Sequence, residues 1–166
     1  MTDPDSAARA QKVFVSGLNL RKELLNENRP LEDQWLTWVL KDERPGTGNQ
    51  VVSVGDALGF NYEIKELELA TLGRLPNFLL GTSLLAITPR SKELILPPWP
   101  DLVISAGRRA SSVARYIKRQ SGGRSFICQI MYPGSGPAAD LDLIIVPSHD
   151  QIAGDNISSI VGAPNL

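Results

Sequence analysis

Two adjacent arginines, Arg108 and Arg109, stand where a helix should begin, directly after the apolar run Leu102–Ser105 and Gly107. The N-terminus of a helix carries partial positive charge, so each cation there is unfavourable by about 0.3 to 1 kcal/mol. A bound anion would reverse that sign, because free N–H groups, the helix dipole and both guanidinium groups would converge on one phosphate or carboxylate. The arginine pair therefore predicts an anion site.

The same pair also has an explanation that involves no ligand. The two guanidinium groups can be solvated, or they can pair with acids on neighbouring loops, for which Asp42, Glu43 and Asp140 are the candidates. Exposed ion pairs of that kind contribute little to stability. Both interpretations stay open at the level of the sequence.

A second candidate is the glycine-rich stretch RPGTGNQ at residues 44–50. Gly46 and Gly48 let the backbone approach a ligand closely. The stretch is not a dinucleotide fingerprint, because the third glycine of G-x-G-x-x-G would fall on Val51. The chain also lacks the G-x-x-x-x-G-K-[ST] phosphate loop and the Y-x-x-x-K pair of short-chain reductases. Taken alone, RPGTGNQ is explained better as a turn than as a ligand site.

A third candidate is His149, the single histidine, with Asp150 beside it after the apolar run Leu141–Val146. The imidazole could act as a general base or bind a ligand, which makes this pair the catalytic candidates. The alternative is a loop histidine that caps a turn. One histidine without ligand spacing predicts no metal site, and Cys128, the single cysteine, is expected to be an inert core residue.

Alternating strands and helices must position these residues. The predicted strands are Trp35–Lys41, Tyr62–Leu69, Leu102–Ser105, Phe126–Met131 and Leu141–Val146, and the predicted helices are Asn49–Leu58, Thr71–Thr88 with a break near Pro76, and Arg109–Gln120. Continuous apolar runs indicate a parallel sheet covered on both faces, so we expect an α/β, Rossmann-like three-layer sandwich with a mainly parallel sheet of about five strands. Ligands of such sheets bind beyond the carboxyl ends of the strands.

Composition narrows the function classes. The net charge of −1 over 166 residues gives no general attraction to nucleic acid, so no nucleic-acid partner is expected. The apolar stretch Phe78–Ile87 is too short to cross a bilayer; we expect it to pack on the sheet, with a membrane or lipid contact as the alternative. A lone cysteine and the absence of a signal-peptide core favour a cytoplasmic protein. Residues 1–34 are expected to form an extension, partly disordered, before a domain at 35–166.

Several motifs together resemble a known family: RPGTGNQ, PPWPDLVISAGRRASSVARYIKR, FICQIMYPG, DLDLIIVPSHDQ and NISSIVGAPN. They are similar to the mitochondrial fission family named for the plant elongated-mitochondria factor, whose bacterial relatives are often labelled sugar-nucleotide proteins. The resemblance covers residues 35–166, with GNQ at 48–50, GRR at 107–109, PSHD at 147–150 and GAPN at 162–165 as its most specific parts.

The resemblance implies the N-terminal half of a glycosyltransferase-B-like protein, in which two Rossmann-like halves face a cleft. The partner would be a phosphate-bearing small molecule or glycolipid acceptor, with a nucleotide-sugar donor held mainly by the other half. The resemblance implies acceptor contacts at Gly46, Gly48, Asn49 and Gln50, with Arg108 and Arg109 nearby. The full set of candidate ligand contacts adds Gly107, His149 and Asn156. No cofactor is implied, and any catalysis would be glycosyltransferase-like and would need a C-terminal half.

Two other functions stay open. Because the plant member is regarded as a recruiter of a dynamin-related protein, the chain could be a non-catalytic module at a membrane surface with a protein partner. A nicotinamide-dependent reductase or epimerase is less favoured, since its motifs are missing. The chain also departs from the family at Pro133-Gly134, where relatives tend to carry proline-arginine.

Overall fold

A computed structural model of the chain describes residues 35–59 and 61–160. The predicted extension at 1–34 and the GAPN motif at 162–165 lie outside the described residues. The elements within them are β1 (Thr37–Asp42), α1 (Pro45–Leu58), β2 (Tyr62–Leu67), α2 (Asn77–Leu80), α3 (Pro89–Lys92), β3 (Leu102–Ala106), α4 (Gly107–Gln120), β4 (Phe126–Ile130), α5 (Ser135–Ala138), β5 (Leu143–Pro147) and β6 (Ile157–Ile160). Two 3₁₀ turns span Thr71–Arg74 and Ser148–Asp150.

The strands form one sheet in the order β2-β1-β3-β4-β5-β6, and every neighbouring pair is parallel. The predicted Rossmann-like α/β fold is therefore confirmed, with one strand more than expected. The additional strand, β6, escaped the prediction because its sequence ISSI contains only two apolar residues. It lies at the edge of the sheet, where three of its four residues are exposed or partly buried.

The two long helices cover opposite faces of the sheet. Helix α4 packs Val113 and Ile117 against a cluster that includes Trp38 of β1. Helix α1 packs Val51 into the second cluster, which includes Val39 of the same strand. Because successive side chains of a strand point to opposite faces, β1 contributes to both hydrophobic layers. This arrangement places the N-termini of α1 and α4 at the carboxyl ends of the strands, on opposite faces of the sheet. We call this end of the sheet its carboxyl edge.

The start of α1 corrects the sequence interpretation. The helix begins at Pro45, four residues before the predicted Asn49, so Gly46 and Gly48 lie in its first turn rather than in a loop. Proline suits the first helical position, because its missing N–H would have had no acceptor there. Two glycines lower the helix propensity of this turn, which is why the sequence pattern concealed it.

The prediction of one helix over Thr71–Thr88 is wrong. The segment forms the 3₁₀ turn Thr71–Arg74, the single-turn helix α2 and a non-helical return. Pro76 precedes α2, and Gly81 ends it with φ 52° and ψ −134°, a conformation that favours glycine. Throughout the described part of the chain, every helix is too short or too polar to span a bilayer.

Cys128 tests the packing of the sheet interior. It is fully buried in β4, and burial raises the pKa of its thiol to about 12. Because the thiolate is the reactive form, we expect the folded protein not to react with an aromatic disulfide reagent at mildly alkaline pH. In protein unfolded with guanidinium, Cys128 should react and release one equivalent of the aromatic thiolate from the reagent. Rapid labelling of the folded protein would contradict this packing.

Candidate functional site

The candidate site lies where the strand order reverses direction. From β1 the chain crosses to β2 on one side, and from β3 it proceeds to β4 on the other. Loops that leave β1 and β3 therefore diverge and open a crevice at the carboxyl ends of the strands, the usual ligand position in such sheets. The two loops are close neighbours, since a Cβ built on Gly107 would lie 3.7 Å from Cγ2 of Thr47.

The loop after β1 is organised by the buried carboxylate of Asp42. This carboxylate accepts hydrogen bonds from the backbone N–H of Arg44, at 3.2 Å, and from the hydroxyl of Thr47. A Cβ at Gly48 would lie 3.1 Å from the backbone oxygen of Asp42, so the close contact of helix and strand favours glycine there. Gly46 has open space beside it. This space lies at the first turn of α1, where backbone N–H groups lack helical acceptors.

A buried polar network between β3 and β4 fixes the backbone after β3. Gly107 adopts φ +75°, which favours glycine, and its carbonyl accepts a hydrogen bond of 3.1 Å from Nε2 of Gln129. The amide oxygen of Gln129 accepts a 2.6 Å bond from the hydroxyl of Ser105. Ser105 and Gln129 are both fully buried. The network therefore holds the first residue of α4 in place without using the arginines.

Arg108 is a structural group. Its guanidinium donates to the carbonyl of Leu75 at 2.5 Å, to Oδ1 of Asn77 at 3.2 Å and to the carbonyl of Gly73 at 3.2 Å. All three acceptors are neutral, so the positive charge of Arg108 remains uncompensated. The sequence-based prediction of a ligand contact at Arg108 stays a prediction. Both terminal nitrogens of its guanidinium already donate hydrogen bonds within the protein.

Arg109 differs from its neighbour. It is partly buried, and it donates no hydrogen bond to any residue that the structure describes. Its pKa is lowered, first by burial and then by the positive charges of Arg44, Arg108 and Arg74, with Asp42 acting in the opposite direction. Arg44, Arg74 and Arg108 therefore repel the charge of Arg109, and we refer to these four residues as the arginine cluster.

Of the three acids that could have neutralised the pair, Asp42 favours the charged form of Arg109 without forming an ion pair with it, and the other two are engaged elsewhere. Asp140 accepts a 2.7 Å hydrogen bond from Nε of Arg115, and Glu43 accepts one of 3.0 Å from the backbone N–H of Leu69. Within residues 35–59 and 61–160, no member of the arginine cluster forms an ion pair. An anion at the cluster would relieve the repulsion and bring Arg109 a hydrogen-bond acceptor.

A cavity of about 590 Å³ opens beside the cluster, beyond the carboxyl ends of β1 and β2. Arg44 belongs to the arginine cluster and also lines the cavity, and Asn49 is a second lining residue. The charged lining consists of Lys41, Asp42, Glu43, Arg44, Glu66, Glu68, Arg90 and Glu93. Acids outnumber bases in this lining, so an anionic group is favoured at the arginines and a hydroxyl-bearing group in the cavity.

The remaining predicted contacts divide into near and distant ones. Gln50 lies in α1, and its amide oxygen is buried without a hydrogen-bond partner in the described residues. His149 is 77% exposed, with Nε2 3.4 Å from Oδ1 of Asp150, and it follows β5, which β4 separates from β3. Asn156 donates 2.9 Å bonds to the carbonyls of Ala138 and Leu141. The structure thus does not bring His149 and Asn156 to the arginine cluster.

Glycine at position 134 has a structural reason. Its φ is +108°, and a Cβ there would lie 2.9 Å from Nδ2 of Asn77. That same Nδ2 donates a 2.8 Å bond to the carbonyl of Pro133, while Oδ1 of Asn77 accepts from Arg108. The departure from the proline-arginine pattern therefore lets Asn77, the first residue of α2, approach the segment that follows β4.

Sequence reasoning missed Arg44 and Arg74. Arg44 lies two residues after the end of β1, so its position at the carboxyl edge was available as a signal. Arg74 lies in the segment predicted as a helix, and nothing in the pattern placed it near Arg109. No set of His, Cys, Asp and Glu side chains within the described ranges is placed to hold a metal ion.

Comparison with known proteins gives two similarities. Residues 45–166 match the model of the family described as Mitochondrial fission ELM1. An uncharacterized protein of Rickettsia prowazekii, RP120, is 35% identical over 114 residues, which cover 68% of this chain and 32% of the relative. The chain thus matches about a third of the length of that curated relative. No solved structure matches the chain significantly.

The division of roles between the two arginines is testable by stability. Arg108→Ala should lower the free energy of unfolding by about 1.5 to 3 kcal/mol, because it removes charged donors from Gly73, Leu75 and Asn77. Arg109→Ala should change it by less than about 0.5 kcal/mol, because that side chain holds no acceptor in the described fold. Urea denaturation of both variants measures the difference. Equal destabilisation would contradict the assignment.

Proposed function

The chain belongs to the mitochondrial fission ELM1 family, and we propose that this domain binds a phosphate-bearing ligand at the carboxyl edge of its sheet. The ligand lies between the N-termini of α1 and α4, against the arginine cluster. Arg109 carries the proposal, since it is a partly buried cation whose pKa is lowered by burial and by the charges of three other arginines, and it has no acceptor among the described residues.

The chemistry of the crevice favours a phosphate over a single carboxylate. Both helices have 14 residues, so each presents a full helix dipole and a first turn with free N–H groups. Guanidinium groups bind phosphate oxygens through paired, charge-assisted hydrogen bonds. Four arginines provide more positive charge than one carboxylate would neutralise, which supports a phosphate or diphosphate group.

We propose a sugar nucleotide or a glycosyl-phosphate acceptor as the ligand class. The resemblance to glycosyltransferase-like proteins suggests this class, and the adjoining cavity supports it. Carboxylates such as Glu66 and Glu68 accept hydrogen bonds from hydroxyl groups, and the amide of Asn49 can donate or accept them. Because Arg44 borders both spaces, a ligand whose phosphate contacts the arginines would extend its hydroxyl-bearing part into the cavity.

We assign no catalytic step to this domain by itself. His149 and Asp150 lie on the far side of β4 from the arginine cluster, so they are poorly placed to act on a ligand held there. The matched region of RP120 is 32% of that protein. Glycosyl transfer, the reaction that the resemblance implies, would on this proposal depend on groups from the rest of a full-length protein.

Calorimetric titration with pyrophosphate and with a uridine diphosphate sugar tests the proposal. We expect binding that weakens as salt is raised. Arg109→Ala should weaken it by about tenfold or more, the effect of losing a hydrogen bond to a charged group.

The matched control is Arg124→Ala. It removes the same charge from the turn between α4 and β4, at the opposite edge of the sheet, where Arg124 is exposed. This variant should bind both probes like the unaltered protein. If Arg109→Ala also binds like the unaltered protein, or if both variants are weakened equally, the arginine cluster is not the binding site.

A further inference from the structure

Three apolar side chains stand exposed next to the arginine cluster. Leu72 is 50% exposed, Phe78 is 81% exposed and Leu79 is 50% exposed, and we refer to these three as the apolar ridge. Scattered leucines on a surface need no explanation, but an almost fully exposed phenylalanine beside two half-exposed leucines does. The ridge is therefore a candidate interaction surface.

Contacts with the rest of the domain hold the ridge in place. Leu80, the last residue of α2, is buried and anchors the helix from inside. Helix α4 anchors the backbone from its side, since Arg108 binds the carbonyl of Leu75 and Arg115 binds that of Gly81 at 2.9 Å. Arg119 adds a 3.3 Å bond to the hydroxyl of Thr82. Phe78 and Leu79 thus point outward on a fixed support.

The ridge and the arginine cluster both lie near the carboxyl ends of the strands. Arg74 is exposed in the turn that also carries Leu72, and a Cβ at Gly73 would lie 3.3 Å from Cδ of Arg109. The residue before Phe78, Asn77, bonds to the carbonyl of Pro133 beyond the carboxyl end of β4. Outward apolar groups and uncompensated cations therefore lie side by side.

We propose that this edge docks on an anionic lipid bilayer, with the apolar ridge inserted among the lipids and the arginine cluster against head-group phosphates. Charge complementarity selects this partner. Interfacial binding of proteins combines buried aromatic and leucine side chains with cations facing anionic head groups. Because the net charge of the chain is only −1, the attraction is local to this edge and fixes the orientation of the domain.

This inference rests on the proposed function and makes it narrower, since the phosphate-bearing ligand would then belong to a lipid. A domain oriented in this way presents the crevice between α1 and α4 to the membrane plane. A lipid phosphate could reach Arg109 while its chain remained among the lipids beside the ridge. A soluble sugar phosphate has no apolar chain that would contact the exposed Phe78.

Sedimentation of the full chain with lipid vesicles tests the inference. The vesicles contain phosphatidylcholine alone or equal parts of phosphatidylcholine and phosphatidylglycerol. We expect the chain to sediment with the anionic vesicles and to stay free with the neutral ones. Phe78→Ser combined with Leu79→Ser should lower the partition onto anionic vesicles by about tenfold or more. Leu96→Ser is the matched control, because Leu96 is 59% exposed between α3 and β3, and it should change nothing.

Pyrophosphate titration of the same proteins separates the two proposals. The double serine variant should bind pyrophosphate normally, which also shows that it is folded. If the unaltered chain binds pyrophosphate but ignores anionic vesicles, or if the double variant partitions as well as the unaltered chain, lipid docking is wrong and the proposed function stands. If the ridge governs partition but pyrophosphate never binds, the docking stands and the phosphate site fails.

Discussion

Repulsion between Arg109 and the other guanidinium groups of the arginine cluster is the constraint on which this edge of the molecule depends. Arg108 shows how the fold tolerates it: hydrogen bonds to neutral oxygens of Gly73, Leu75 and Asn77 fix the group without neutralising its charge. The same bonds hold the segment that carries the apolar ridge. Arginines of α4 thus hold the segment that carries the apolar ridge through hydrogen bonds to its backbone. The positive charge and the exposed apolar surface therefore lie together, beside the crevice at the reversal of strand order.

Much of the fold was predictable from sequence because its four central strands are buried on both faces. Runs such as Leu102–Ala106 read as continuous apolar stretches, and a fully buried strand of a parallel sheet requires that pattern. The errors occurred where side chains or glycines decide the backbone. Helix α1 forms through a glycine-rich first turn that Asp42 stabilises, and Thr71–Thr88 bends at Pro76 and Gly81 despite its leucines. Such tertiary contacts leave no periodic signal.

The candidate site was predictable in position but not in its division of labour. An arginine pair at the start of a helix after a buried strand located the carboxyl edge of β3. Which arginine is structural depends on a segment more than thirty residues earlier in the chain, since Arg108 bonds to Leu75 and Gly73. Arg74 joined the cluster for the same reason, and its approach to Arg109 could not be read from spacing. Membership of the mitochondrial fission ELM1 family agrees with the motifs and leaves the ligand to be found by experiment.

The central claim is that an anion completes the arginine cluster between two helix N-termini. The most direct measurement is a crystal structure of the chain grown with pyrophosphate. The account predicts density within hydrogen-bonding distance of the guanidinium of Arg109 and of first-turn N–H groups of both α1 and α4. Density only at other cations such as Arg90 or Arg124, or an Arg109 guanidinium paired with an internal carboxylate and no ligand in the crevice, would contradict it.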